Sequence, residues 1–236
     1  MEESIGSNIK TFYFIRHAES TANRAKRSGV TVLDASFADA PITDHGIFQA
    51  EETARITSSL PVEIVICSPL RRTIETALHV FPGKQMYLES RAREICWEHI
   101  ECRAFSHTSP WQKSTVKGTI GKIAKRFPHA SISIDESSIA HLDEEKDVFW
   151  QPQDEAIMSK ENIRILATKA KDELLSALFA RKETSIGVIS HYATMNELFD
   201  ISPNNCSVYK IVVCRTGASS SSSESFYISQ INCLHS

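Results

Sequence analysis

The chain has 236 residues, 42% hydrophobic and 23% charged, with a formal net charge of −3. That length suits one sizeable α/β domain with room for an insertion, and the mildly acidic balance excludes a protein that coats nucleic acid, which needs a basic excess. The opening MEESIGSNIK is too polar for a secretory signal or transit peptide, and no apolar run approaches the roughly 20 residues that span a bilayer.

The first predicted element is the strand TFYFI (11–15), which runs straight into Arg16 and His17. A helix follows over TDHGIFQAEETARITSSL, with Thr43 or Asp44 as its cap. The second strand is VEIVIC (62–67), and Ser68-Pro69 then opens a helix, with proline where its missing N–H costs nothing. From about 92 to 153 the βα rhythm breaks. That stretch holds Trp97, Trp111 and Trp150 and reads as an insertion over the carboxyl ends of the strands, a lid or specificity element. The longest helix lies within 154–182, where Ile163, Leu166, Ala167, Ala170, Leu174 and Leu178 recur at helical spacing and face the sheet. SIGVIS (185–190) is the next strand. CSVYKIVVC (206–214) and SFYISQI (225–231) are late strands joined by GASSSSSES, a mobile hairpin loop. Strands buried on both faces and alternating with helices imply a three-layer α/β sandwich with a mainly parallel central sheet. The expected organisation is a single domain over 1–236 that carries the 92–153 insertion.

Ligands of open α/β sheets sit outside the carboxyl ends of the strands. Three polar signatures fall at such ends: Arg16-His17, SPLRRTIETA (68–77) and SHYATM (190–195). Together they put cations and imidazoles in one crevice, and phosphoryl transfer is the chemistry that wants them, because its transition state spreads negative charge over three oxygens. Arg72 lies in the first turn of its helix, where the dipole adds positive potential, and its fork suits two phosphate oxygens. His17 as a neutral imidazole can attack phosphorus, and His191 can donate to an oxygen of the same group.

RHAES, TDHG, SPLRRTIETA and SHYATM resemble the histidine phosphatase superfamily, the phosphoglycerate-mutase-like proteins, over about residues 11–215. The resemblance implies that His17 is the nucleophile and that Arg16, Arg72 and His191 complete a phosphate pocket. It adds Asn23 as a pocket asparagine. It also implies an acidic proton donor after the third strand, where YLESRAREICWEHIE offers Glu89, Glu94, Glu98 and Glu101. Glu94 fits best and Glu98 is its rival. Ala18 and Tyr192 stand where the family commonly has glycine, and the tyrosine-glycine pattern that follows the acid in glycolytic mutases is missing.

The expected activity is metal-independent hydrolysis of a small phosphorylated substrate through a phosphohistidine. No cofactor, metal, nucleic acid or membrane is implied. Two alternatives stay open: a cofactor-dependent phosphoglycerate mutase, and a non-catalytic phosphate-binding scaffold of the same fold. Other features read as plain. Cys96, His99, Cys102 and His107 match no compact zinc spacing. The six cysteines lack a framework spacing and read as reduced thiols of a cytoplasmic protein. Arg71 reads as a solvated helix residue that can pair with Glu75, and Lys113, Lys117, Lys122, Lys125 and Arg126 as a solvated face.

Overall fold

Strands β1 (Ile9–Arg16), β2 (Ile64–Cys67), β3 (Met86–Leu88), β4 (Ser185–Ser190), β5 (Val208–Thr216) and β6 (Ser225–His235) form one sheet in the order β3-β2-β4-β1-β5-β6. The computed structural model describes residues 8–30, 37, 39–94, 112–138, 160–216 and 225–236. β1 to β4 run parallel, whereas β5 pairs antiparallel with β1 and β6 antiparallel with β5. The parallel part is the part buried on both faces, as its continuous apolar runs require.

Side chains alternate across the sheet and build two cores. Phe12, Phe14, Ile64, Ile66, Ile186 and Val188 point to one face, where they meet Leu174, Leu175, Leu178 and Phe179 of α5 (Lys160–Ala180) and Met195 and Leu198 of α6 (Tyr192–Phe199). Tyr13, Ile15, Val65, Cys67 and Ile189 point to the other, against α2 (Asp44–Thr57) and α3 (Arg71–Val80). Position 187 faces that second core by alternation with Ile186 and Val188, and glycine fits there because a Cβ would sit 3.0 Å from the Phe81 ring. Of the residues expected on the sheet-facing side of the long helix, Leu174 and Leu178 are buried; the side chains of 160–167 and 169–170 fall outside the description.

Several boundaries move. β1 extends through Arg16, paired with Ser190, so His17 is the first residue past the strand. β5 is shifted by two residues from the expected 206–214 and β6 runs past 231 to His235, because the hairpin ladder pairs from Thr216 with Ser225 to Val208 with His235; the serine-rich loop between them lies outside the described residues. A short helix α1 (Thr21–Arg27) was not anticipated; Ser20 and Asn23 cap it reciprocally at 3.1 Å each way. The helix after β2 begins at Arg71 with Leu70 as its cap residue, not at Ser68-Pro69. Ser68 is engaged elsewhere: its carbonyl accepts from Thr73 Oγ1 at 2.8 Å and its hydroxyl meets His191.

Within the expected insertion, α4 (Gln112–Arg126) packs on α3, with Ile123 in the same core cluster as Ile74 and Leu78. The segment after it exchanges main-chain bonds with β3, Met86 N–H to Ser133 O at 2.8 Å and Asp135 N–H to Met86 O at 2.9 Å. The three tryptophans, and with them the lid expectation, lie outside the described residues, as do Cys96, His99, Cys102 and His107. No helix among the described residues is long and apolar enough to cross a membrane.

Candidate active site

β2, β4 and β1 are adjacent, and their carboxyl ends are bolted together just where the polar signatures begin. His17 N–H donates to Ser190 O at 2.9 Å and Ser68 N–H to Ile189 O at 3.1 Å. The imidazoles of His17 and His191 lie 5.1 Å apart between centroids, and the guanidinium of Arg72 sits between them. All three side chains are buried.

The hydrogen bonds fix the state of each ring. His17 Nδ1 lies 2.7 Å from the carbonyl of Ala18, which can only accept, so Nδ1 carries the proton. Its Nε2 is left with a lone pair, which receives Arg72 Nε–H at 3.3 Å. Burial first, and then the charges of Arg72 and Arg16, hold His17 well below the usual imidazole range, so it is neutral. His191 is kept neutral the same way, by burial and then by Arg72. Its Nδ1 accepts from Arg72 Nη2 at 3.3 Å and its Nε2–H donates to Ser68 Oγ at 2.9 Å.

The backbone around His17 is held from three sides. Ala18 N–H donates to Thr76 Oγ1 at 3.0 Å, and that hydroxyl donates on to Arg72 O at 2.6 Å, so the His17 loop and the Arg72 helix share one side chain. Asn205 Nδ2 donates to His17 O at 2.8 Å and to Asn23 Oδ1 at 3.3 Å. Asn23 therefore stands beside His17, with its amide oxygen taken up by Asn205 and by the cap of α1. The buried carboxylate of Glu19 accepts from Thr43 Oγ1 at 2.6 Å and pairs with Arg24 and Arg27. Gly46 of the TDHG motif is explained by the same contact: a Cβ there would lie 2.4 Å from Glu19 O. Thr43 is the helix cap, its hydroxyl accepting from Gly46 N–H at 3.0 Å.

Glu94 is brought in from the opposite side. Ser190 Oγ donates to Ala92 O at 2.8 Å and Thr194 Oγ1 to Arg93 O at 2.6 Å, which ties the chain after β3 to the end of β4. Glu94 Oε1 then accepts from Ala193 N–H at 2.9 Å and Thr194 N–H at 3.3 Å, at the amino terminus of α6. Its Oε2 lies 3.9 Å from His191 Nδ1. Glu89 is turned away; it forms a bidentate pair with Arg91 and caps the 3-10 turn Ser90–Ala92. Glu98 and Glu101 lie outside the described residues. Arg16 donates Nη1–H to Pro203 O at 3.0 Å and lies under the ring of Tyr192.

Two cations expected on solvated faces are instead structural. Glu75 is fully buried and accepts from Ile42 N–H at 2.8 Å, Arg71 Nε at 2.8 Å and Arg126 Nη1 at 3.0 Å. Arg71 and Arg126 are held inward because a buried carboxylate without cations would be costly. Lys122 and Lys125 are exposed, as a solvated face requires. Donor atoms of His17, Glu94 and His191 lie within 4.8 Å of one another, a spacing compatible with a metal ion. A cation there would meet Arg72 within 3.3 Å of the His17 donor, and the field of Arg16 as well. The arrangement suits an anion.

A family model for the histidine phosphatase superfamily (branch 1) matches residues 12–116. The match takes in the His17 and Arg72 segments, and over it the chain is similar to that superfamily. It is 26% identical over 229 residues to phosphoglycerate mutase-like protein 1 of Arabidopsis thaliana, covering 84% of this chain and 73% of that relative. Among solved structures, phosphoglycerate mutase from Bacillus anthracis superposes with a TM-score of 0.54 at 17% identity, over 89% of this chain and 90% of that one. Phosphoserine phosphatase from Entamoeba histolytica, solved in complex with 3-phosphoglyceric acid, gives 0.51 at 21% identity, over 85% and 89%. At such identities the superpositions speak for the histidine phosphatase fold, which hosts both phosphatases and mutases.

Ser68, Thr76 and Asn205 were not read from the sequence as site residues. Ser68 was taken only as a helix start and Thr76 only as part of SPLRRTIETA. Asn205 carried no signal, since its partner is a main-chain carbonyl 188 positions away.

Proposed function

We propose that the protein hydrolyses a small phosphomonoester through a phosphohistidine at His17, with Arg16, Arg72 and His191 binding the phosphoryl oxygens and Glu94 moving the proton. The observation that carries this is the tautomer of His17: Nδ1–H is committed to Ala18 O, so Nε2 presents a lone pair inside a cluster of donors. In the first step Nε2 forms the N–P bond, the ester P–O bond breaks, and Glu94 gives its proton to the leaving oxygen. In the second, water attacks phosphorus, Glu94 takes the proton, the N–P bond breaks and inorganic phosphate leaves. Arg72 turns from His17 Nε2 to the phosphoryl oxygens as substrate enters. A bound dianion offsets the charges of Arg72 and Arg16, so His191 takes up a proton at Nδ1 and becomes a donor.

Asn23 completes the pocket wall beside His17. Cys67, Cys206, Cys214 and Cys233 are free thiols, which supports a cytoplasmic setting. Water wins over a returning hydroxy acid in this reading because the sequence lacks the mutase pattern after the acid.

The test is a panel of phosphorylated metabolites scored for phosphate release, with and without a bisphosphoglycerate primer and with chelator present. Release on at least one small phosphomonoester is expected, insensitive to chelation. With His17→Ala, release disappears and alkaline trapping no longer retains labelled phosphate on the protein. Efficient primer-dependent interconversion of 3- and 2-phosphoglycerate with negligible release would promote the mutase.

A further inference from the structure

Arg16 is held in an unusual way for a guanidinium at a candidate anion site. Its side chain makes two described contacts: one hydrogen bond, Nη1–H to Pro203 O at 3.0 Å, and the ring of Tyr192, whose centroid lies 5.2 Å from the guanidinium carbon. Its Nε is buried with no hydrogen-bond partner among the described residues. Among the described residues no carboxylate is hydrogen-bonded to the fork; Glu94 attracts it through its field, and the one directional bond is to a carbonyl. Tyr192 is 40% exposed, so the ring is not a core residue that happens to touch Arg16. It is the first residue of α6, immediately after His191. The next two residues of that turn, Ala193 and Thr194, hold Glu94.

From this geometry we infer that Tyr192 is a positioning residue for phosphoryl binding, its ring face fixing the Arg16 guanidinium in the pocket. The inference rests on the reading of Arg16 as a ligand of the phosphoryl group. A ring face suits the task better than a carboxylate, because it orients the guanidinium without neutralising the charge an incoming anion needs. It also leaves the N–H groups in the guanidinium plane for oxygens. One helical turn thus carries three settings of the site in consecutive positions: His191 on the phosphoryl group, Tyr192 on Arg16, and the amides that hold Glu94.

Orthovanadate binding, measured by calorimetry on the full chain, separates the possibilities. Tyr192→Leu should weaken it by about 3- to 20-fold, the span of a cation–π contact between exposed and desolvated. Tyr192→Phe keeps the ring, gives up only the hydroxyl contact with Ser202 Oγ at 3.5 Å, and should restore wild-type affinity, with both variants fully folded at the assay temperature by thermal melting. In the Arg16→Met background, Tyr192→Leu should cost nothing further, since the ring acts through the arginine. Equal affinity of Tyr192→Leu and wild type, or losses that add in the double variant, overturns the inference and leaves the phosphatase reading standing. If Arg16→Met itself binds vanadate as tightly as wild type, Arg16 is no anion ligand, and that reading fails together with the inference.

Discussion

The two sides of the candidate site are built differently. On the β1 side, the segment around His17 is cross-braced, Arg16 Nε apart: Thr76 to Ala18, Asn205 to His17 O, Ser20 to Asn23, and Thr43 to a Glu19 that Gly46 allows α2 to approach. On the far side, Glu94 is partly exposed, hangs on two amides of α6, and leads directly into residues 95–111. The difference separates what all reactions of the site share from what distinguishes them. A phosphoryl group is the same in every substrate, and fixed donors that need no reorganisation stabilise it best. The leaving group varies, and under the proposed reaction Glu94 is the group that meets it.

The sharpest way to break this comparison is at the acid. Glu94→Gln should lose roughly 10²–10⁴ in rate on an alkyl phosphate, whose leaving oxygen needs a proton. It should lose far less on p-nitrophenyl phosphate in the phosphorylation step, resolved by burst kinetics. Equal losses on both would remove Glu94 from the proton's path and turn attention to Glu98.

On the braced side the contrast is between neighbours. Arg72→Ala should reduce the rate by about 10²–10³ on every substrate alike, as loss of one fixed donor does. Arg71→Ala should leave the rate nearly intact and lower stability instead, by about 1–3 kcal/mol, because the buried Glu75 keeps Arg126 and Ile42 N–H but loses one charged partner. Paired kinetics and urea melts decide it, and an exchange of the two effects would show that Arg71, not Arg72, faces the phosphoryl group.

The same division runs through what could be read in the chain. The strand cores and the placing of Arg16-His17, Arg72 and His191 at three strand ends were legible, because apolar periodicity and sharp polar interruptions are local signals. TDHG was legible only as a family mark, yet its cause is a contact between Gly46 and Glu19, distant in sequence. Arg71 and Arg126 were read as solvated because nothing in a helix pattern announces that Glu75, among Thr73, Ile74, Thr76 and Ala77, is buried to the last atom. Ser68-Pro69 looked like a helix start on propensity alone, but tertiary demand on the serine from His191 and Thr73 shifted the start to Arg71. Main-chain partners chosen across the fold, such as that of Asn205, leave no mark in the sequence.

The smallest expected effect concerns acid stability, and it probes the neutrality of the two imidazoles directly. His17 and His191 have folded-state pKa values well below the usual imidazole value, chiefly from burial, whereas the unfolded chain titrates near 6.5. Below that pH the unfolded state binds more protons than the folded one, so stability falls as pH falls, by up to about 1.4 kcal/mol per pH unit for each group. His79, half-buried and also lowered, adds a smaller share of the same sign. Urea unfolding between about pH 7.5 and pH 5.5 should therefore show a steep loss in the wild type, with a clearly shallower slope in His191→Asn, which removes one of the two groups. The slope is the readout, since the substitution shifts absolute stability for other reasons. Saturating inorganic phosphate should flatten the wild-type slope as well, because a bound anion lets His191 accept its proton in the folded state. Equal slopes for the two proteins without phosphate would mean that His191 is already protonated in the free enzyme, and that Arg72 donates elsewhere.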